Sequence, residues 1–405
     1  MADITLTDKQ NKAKNECLDW YFGRETNGKD PDRIFTIAGL AGTGKSTLVK
    51  FIIEEIGLDV DEVVFIAYTG MAANVLTRKG NVGASTIHKF IYHAIPVKDP
   101  ETGEVLKFIF KLKEKDEMDD KIKLVVIDEV SMVDTGMLNE VHSFGIRTMA
   151  LGDPGQLPPV GNSGNTLLKN PDVFLDEIMR QALDNPIIYL SMLAREGKFI
   201  SYGTHGDRVQ VIRRNELYKD MFLGADQIIA GYNETVQNIN AYHRRFILGI
   251  ENPFPIVGDK IICGKNQWEH TIYEDNLEVS LVNGLIGRIE SIENQKRSAT
   301  YKISFRPEFF KEEKFPKLYM NKIPFMNEKV RESFDEKSLY VFRKKIIETY
   351  GISEFKFGYA ISCHKSQGSE FDNVLLFEER LNKKFHKNWL YTGITRAKEK
   401  LILVR

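Results

Sequence analysis

The segment GLAGTGKS at residues 39–46 follows a short apolar run, IFTIA, and opens a stretch of helical periodicity that reaches about Ile56. Glycines at 39, 42 and 44 let backbone N–H groups turn inward around phosphate oxygens, and the start of the following helix adds its dipole. Lys45 then stands where it would neutralise β- and γ-phosphates, and Ser46 where it would ligate magnesium. Ala41, Thr43 and Thr47 complete the expected phosphate cradle. Downstream, VVIDEVSM at 125–132 ends an apolar strand on Asp128, a carboxylate suited to hold Mg2+ together with Ser46. The adjacent Glu129 can orient and deprotonate an attacking water. A glycine turn before a helix, or an acidic strand end, is ordinary taken singly. Together, in this order, they point to ATP hydrolysis with magnesium.

These groups need a scaffold, and the chain supplies an α/β rhythm. VVFIAY (63–68), LVVIDE (124–129) and TMALGD (148–153) read as buried strands ending in polar residues. Such alternation predicts a parallel sheet covered by helices, with ligands at the C-terminal strand ends. A second α/β region is split. One part has strands near 208–212 and 226–230 and a helix near 233–248; the other has strands at 356–361, 373–377 and 400–404. Residues 93–112 (PVKDPETGEVLKFIF at their centre) read as a β-hairpin around a Pro/Gly turn. Residues 259–349 read as a small β module, with a turn at Val282-Asn283-Gly284, the runs GRIESI and YKISF, and a helix near 337–350.

Composition bounds the partners. With 405 residues the chain exceeds one core, and length predicts about two to three domains. Its 56 basic and 57 acidic residues leave a net charge of −1, so any polyanion must be met by a local groove rather than by overall charge. No apolar run reaches the roughly 18 residues of a membrane span, and MADITLTDKQNKAKNE does not read as a signal peptide. Cys17, Cys263 and Cys363 lie far apart without a CxxC pair, which argues against a zinc site or disulfide framework and for a reducing cytoplasm.

Three further segments extend the pattern: LGDPGQLPPV (151–160), GYAISCHKSQGSEFDNV (358–374) and WLYTGITRAK (389–398). With the first two motifs, in this order, the chain resembles superfamily 1 helicases, within the branch (SF1B) of the RecD-like and Dda-type enzymes. ASTIH (84–88) and NPIIYLSMLAREGKF (185–199) add to the Dda-type likeness. The resemblance implies two RecA-like motor domains, 1–92 with 113–176 and 177–258 with 350–405. It also implies a strand-separating pin at 93–112 and an SH3-like accessory domain at 259–349.

It also implies roles. Gln10 matches a glutamine that reads adenine, against the alternative of a surface residue. Gln156 would sense the γ-phosphate, and Asp153 would tie its loop to the magnesium site. Arg180 and Arg396 match arginines that approach the γ-phosphate from the second domain, where a guanidinium stabilises transferring charge. Gly368 and Glu370 are expected at the same cleft.

Single-stranded DNA would run past Thr69, Gly70, Thr86, His88, Ser362, His364 and Lys365, which offer donors and a stacking ring. His88 and His364 fit capping or core positions as well. Phe108 and Phe110 fall on one face of the hairpin, to wedge a base pair or to pack on their own domain. Trp268 and FFKEEKFPKLY fit either a DNA contact or a module core with a solvated lysine face. Tyr68 and Gly70 stand where Dda-type proteins carry proline and histidine, which puts a stacking contact there in doubt.

The implied activity is ATP-dependent 5′→3′ translocation on single-stranded DNA with separation of duplex DNA. The alternative is a translocase that displaces bound proteins and unwinds little. Such a motor would act as a monomer at ss/ds DNA junctions in the cytoplasm of a phage-infected or bacterial cell, in replication or recombination. A single-strand-binding or replication protein is the partner that role calls for.

Overall fold

The computed structural model describes residues 5–24, 29–81, 83–98, 105–158, 167–177, 184–274, 277–294, 300–325, 352–380 and 384–405. Six parallel strands form the first sheet, in the order Ser85–Thr86, Val63–Ala67, Leu124–Asp128, Arg147–Gly152, Phe35–Gly39, Val173–Leu175. Helices cover both faces, which is why the strands read as unbroken apolar runs. Leu124 and Val126 pack beneath Ala13, Cys17, Trp20 and Leu48 of helices Asp8–Tyr21 and Lys45–Ile56. Val125 and Ile127 face the other way, towards Ile87, Ile91, Met137 and Val141.

The second sheet runs Ala360–Ser362, Gln227–Ala230, Phe371–Phe377, Ala397–Val404, Val209–Ile212, Gly203–His205; only the last edge strand is antiparallel. Helices Pro186–Glu196 and His386–Ile394 cover one face, and Asn233–Tyr242 the other. Among the described residues no helix is long and apolar enough to cross a membrane.

The expected hairpin is present: Tyr92–Lys98 pairs antiparallel with Val105–Leu112, with Ala94 opposite Phe110 and Pro96 opposite Phe108. The β module has its own six-stranded sheet and a second hairpin, Gln267–Glu274 with Leu277–Leu281. Its core is separate, built on Phe305, Phe315, Phe355 and Leu318. Phe310 and Phe315 of the lysine-aromatic run sit in that core, Trp268 packs against it, and Lys311, Lys314 and Lys317 are exposed. The helix expected near 337–350 lies outside the described residues.

The strand expected at 356–361 is corrected into two. Phe355–Phe357 pairs with Lys260–Cys263 in the module, and Ala360–Ser362 joins the second parallel sheet. Gly358 makes the crossing: its N–H donates to the Lys260 carbonyl at 2.9 Å, and a β-carbon there would sit 3.0 Å from the Ile261 backbone.

One buried ion pair secures this junction. Arg244 meets both oxygens of Asp259 at 2.9 Å and donates to the carbonyls of Asn252 and Phe254. Tyr359, next to the crossing, donates to Asp259 at 2.8 Å. Arg244→Ala would strand a carboxylate that is 0% exposed, so chemical denaturation is expected to show a loss of about 3–5 kcal/mol.

Candidate functional site: a phosphate cradle between two sheets

The P-loop leaves the fully buried strand Phe35–Gly39 and enters helix Lys45–Ile56 through Gly44, whose φ is 76°. Lys45 Nζ donates to the Gly39 and Leu40 carbonyls at 2.8 and 3.0 Å, so its ammonium is folded back on the loop. Thr43 is buried and its hydroxyl donates to the Leu40 carbonyl at 2.8 Å; Gly42 and Ser46 are exposed, Ala41 and Thr47 half-buried. Gln10 is buried on this loop, its Nε2 donating to the Thr43 carbonyl at 3.0 Å. The surface alternative for Gln10 is therefore excluded.

Asp128 ends its strand beside Ala67. Burial, then the charge of Glu129, pushes its carboxyl up to about 6, while Lys45 pulls the other way. Glu129 has φ 52° and ψ 44°, the only positive φ at a non-glycine among the described residues. A left-handed glutamate is strained, and such strain collects at working sites. Asp153 is 1% exposed, and burial raises its carboxyl above the usual range, opposed by nearby Lys45.

The far wall comes from helix His386–Ile394. Tyr391 Oη accepts from the Ala41 N–H at 2.8 Å and donates to Asp153 Oδ2 at 2.5 Å. Asn388 Nδ2 donates to the carbonyls of Gly155 and Gln156, and Thr392 Oγ1 accepts from the Leu157 N–H at 3.0 Å. From the 362–370 loop, Gln367 donates to the Leu157 carbonyl at 3.1 Å. Gly155 allows this approach, since a β-carbon there would lie 2.9 Å from the Tyr391 ring. Gln156 is buried, and its Oε1 has no partner among the described residues.

Arg396 is 4% exposed and donates to the carbonyls of Thr392 and Ser369 and to the Thr395 hydroxyl, all in the second body. Arg180 lies outside the described residues. Arg195, which the sequence did not single out, carries a buried Nε with no partner among the described residues. Its charge acts on Tyr391.

The expected DNA residues fall into two groups. Thr69 caps helix Gly70–Arg78 by accepting from the Ala72 N–H, and Gly368 lies against Thr69 and Ala72, joining the strand-end loops of the two sheets. His364 is half-buried, Lys365 and Glu370 are exposed, and Ser362 is buried at its strand end. Gly70 is buried against the module: a β-carbon would come within 2.3 Å of Val282, so histidine cannot stand here.

The second group surrounds the hairpin base. Thr86 is 2% exposed and caps helix Ile87–Ile91. His88 meets the rings of Tyr68, Tyr92 and Phe110 at 6.4, 5.5 and 5.9 Å, and burial lowers its pKa. Phe110 is nevertheless 53% exposed. It stands near the hairpin base, two pairs from Tyr92–Leu112, and the side chain of Phe108 lies outside the described residues. Tyr68 and Tyr92 complete a cluster whose members are scattered in sequence.

Glu129→Gly removes the carboxylate and the left-handed strain together. Denaturation is expected to show a gain of about 1 kcal/mol.

Two family models match this chain: the AAA domain over residues 25–214 and the UvrD-like helicase C-terminal domain over residues 357–404. The ATP-dependent DNA helicase Dda of Enterobacteria phage T4 is 25% identical over 91% of this chain and 94% of its own. The ATP-dependent RecD2 DNA helicase of Deinococcus radiodurans is 25% identical over 91% of this chain and 46% of its own. The chain thus spans less than half the length of several curated relatives it matches. A Bacteroides Pif1 helicase in complex with ADP-AlF3 and ssDNA has the same fold, with a TM-score of 0.54 at 18% identity, covering 99% of this chain and 92% of that one.

Fold and site define an α/β protein whose P-loop, at the end of a parallel sheet, faces a second α/β body. The chain is similar in sequence to the helicases Dda and RecD2 over most of its length, and to the PIF1 helicase of Candida albicans over 30% of it.

Proposed function

We propose that this protein is an ATP- and Mg2+-dependent DNA helicase that moves on single-stranded DNA, 5′→3′, and separates duplex DNA. The observation that carries it is the clamp of the Asp153–Leu157 loop, on the P-loop sheet, by Asn388, Tyr391 and Thr392 of the second. A phosphate cradle walled by a second α/β body is suited to a cleft that closes on nucleotide and opens after hydrolysis. The motor domains we assign are 1–92 with 113–176 and 177–258 with 350–405, the pin 93–112 and the accessory domain, taken as SH3-like, 259–349.

The donor set fits a hard cation. Asp128 is a carboxylate whose pKa burial and Glu129 push up to about 6, with Ser46 exposed at the helix start. Among the described residues no cluster of three metal-ligating side chains exists, so the cation would be shared with phosphate oxygens. Bound magnesium would neutralise developing phosphoryl charge. Lys45 would exchange its two carbonyl bonds for β- and γ-phosphate oxygens, Glu129 would orient the water and take its proton, and Gln156, whose buried Oε1 has no partner among the described residues, would sense the γ-phosphate. Gln10 would read adenine, and Arg180 and Arg396 would reach the γ-phosphate on closure. Ala41 to Thr47 would cradle the phosphates, with Gly368 and Glu370 beside them.

For DNA, we assign Thr69, Gly70, Ser362, His364 and Lys365 to the backbone groove, Gly70 by its amide alone. Thr86, His88, Phe108 and Phe110 would serve the pin side. The half-exposed Phe110, braced by His88, supports unwinding over bare translocation. A monomer at an ss/ds junction, loaded by a single-strand-binding or replication protein in a cytoplasm, completes the reading.

Lys45→Ala is expected to reduce DNA-stimulated ATP hydrolysis at least about 100-fold with the fold retained by circular dichroism. Normal turnover in that variant overturns the assignment. On 5′- and 3′-tailed duplexes, only the 5′-tailed one should unwind. Phe110→Ala should cut that unwinding several-fold while DNA-stimulated ATPase persists; equal unwinding would favour the protein-displacing translocase.

A further inference from the structure

The Tyr391 hydroxyl joins three pieces of the cleft. It accepts from the Ala41 amide of the P-loop and donates to Asp153 Oδ2, while the Gly155 N–H donates to Oδ1 at 2.8 Å. The directions are set by chemistry: an amide only donates, and the single phenolic proton goes to the carboxylate. Burial and the Asp153 charge both raise the phenol's pKa, so it keeps that proton. The ring is 2% exposed and seated on Gly155.

Ala41 is the third residue of the phosphate loop, so the pose of its peptide sets the aim of the amides that follow. Gln156 closes a turn on Asp153, its N–H donating to the Asp153 carbonyl at 3.1 Å. A hydroxyl from the second body therefore holds the cradle and the glutamine loop in register. Opening would release both at once.

We propose that Tyr391 is a positioning residue for hydrolysis, coupling cleft closure to the alignment of Ala41 and Gln156. This inference rests on the motor reading above. It is distinct from charge delivery by an arginine, because Tyr391 acts through the first body's own groups.

Tyr391→Phe keeps the ring and removes only the hydroxyl. With saturating single-stranded DNA, kcat for ATP should fall about tenfold or more while KM for ATP stays within about twofold, because alignment rather than phosphate affinity is lost. Combined with Asp153→Asn, the loss should be well below the product of the single losses, since both residues serve one chain of hydrogen bonds. Thermal unfolding of Y391F controls for folding: wild-type kcat per folded molecule, with or without a lowered midpoint, overturns the inference. Fully multiplicative losses in the double variant overturn it too. Absence of DNA-stimulated hydrolysis in the wild type would overturn the motor reading and this inference together, whereas wild-type turnover shared by Y391F overturns this inference alone.

Discussion

The loop Asp153–Leu157 starts at the end of a strand in the first sheet and is held by hydrogen bonds from a helix of the second. Backbone groups take most of these bonds, so the loop's shape depends on the distance between two separately packed bodies. Each body has its own core on both sheet faces, and the apolar contact from the first body into the second body's core is small: Leu157 is buried there and Ala41 packs against it. Polar bonds across such a boundary are worth about 0.5–1.5 kcal/mol each, little beside a core. An interface of this kind can be remade many times without unfolding anything, which a nucleotide-driven cleft requires.

The β module bears on the same boundary from outside. Val282 closes on Gly70, and Arg78 stacks on Phe309 at 4.7 Å, both contacts with the first body. The Arg244–Asp259 pair and the Gly358 crossing bind the module to the second. The module therefore constrains how the two bodies can separate. Helix Gly70–Arg78 is the meeting point, since Gly368 of the second body rests on Ala72 and Thr69 at its start.

Sequence reading recovered what is local. Phosphate binding needs glycines, a lysine and a hydroxyl at set spacing within one turn, so the P-loop was legible; so were strands that end on Asp128 and Asp153, and the hairpin. What escaped it is pairwise and distant. Tyr391 lies inside a recognised segment, but nothing in that segment shows that its hydroxyl meets Ala41. At Gly70 the sequence shows a missing stacking side chain, and the reason, Val282 filling the space, lies far along the chain. FKFGYAIS alternates as one strand would, and only the sheet partners divide it at Gly358. Tyr68, His88, Tyr92 and Phe110 form a cluster no periodicity joins, because a helix, a loop and two strands contribute to it.

The Gly358 crossing bears on how the chain assembles. Ala360–Ser362 must pair with Gln227–Ala230, although the whole module is threaded between them in sequence. Closing so long a loop in an unstructured chain is slow and entropically costly. Once Lys260–Cys263 has paired with Phe355–Phe357, only Gly358 and Tyr359 separate that stalk from the waiting strand, and the effective loop becomes short. The order this favours is module first, edge strand second, so the loop carrying His364 and Gly368 is among the last parts to settle.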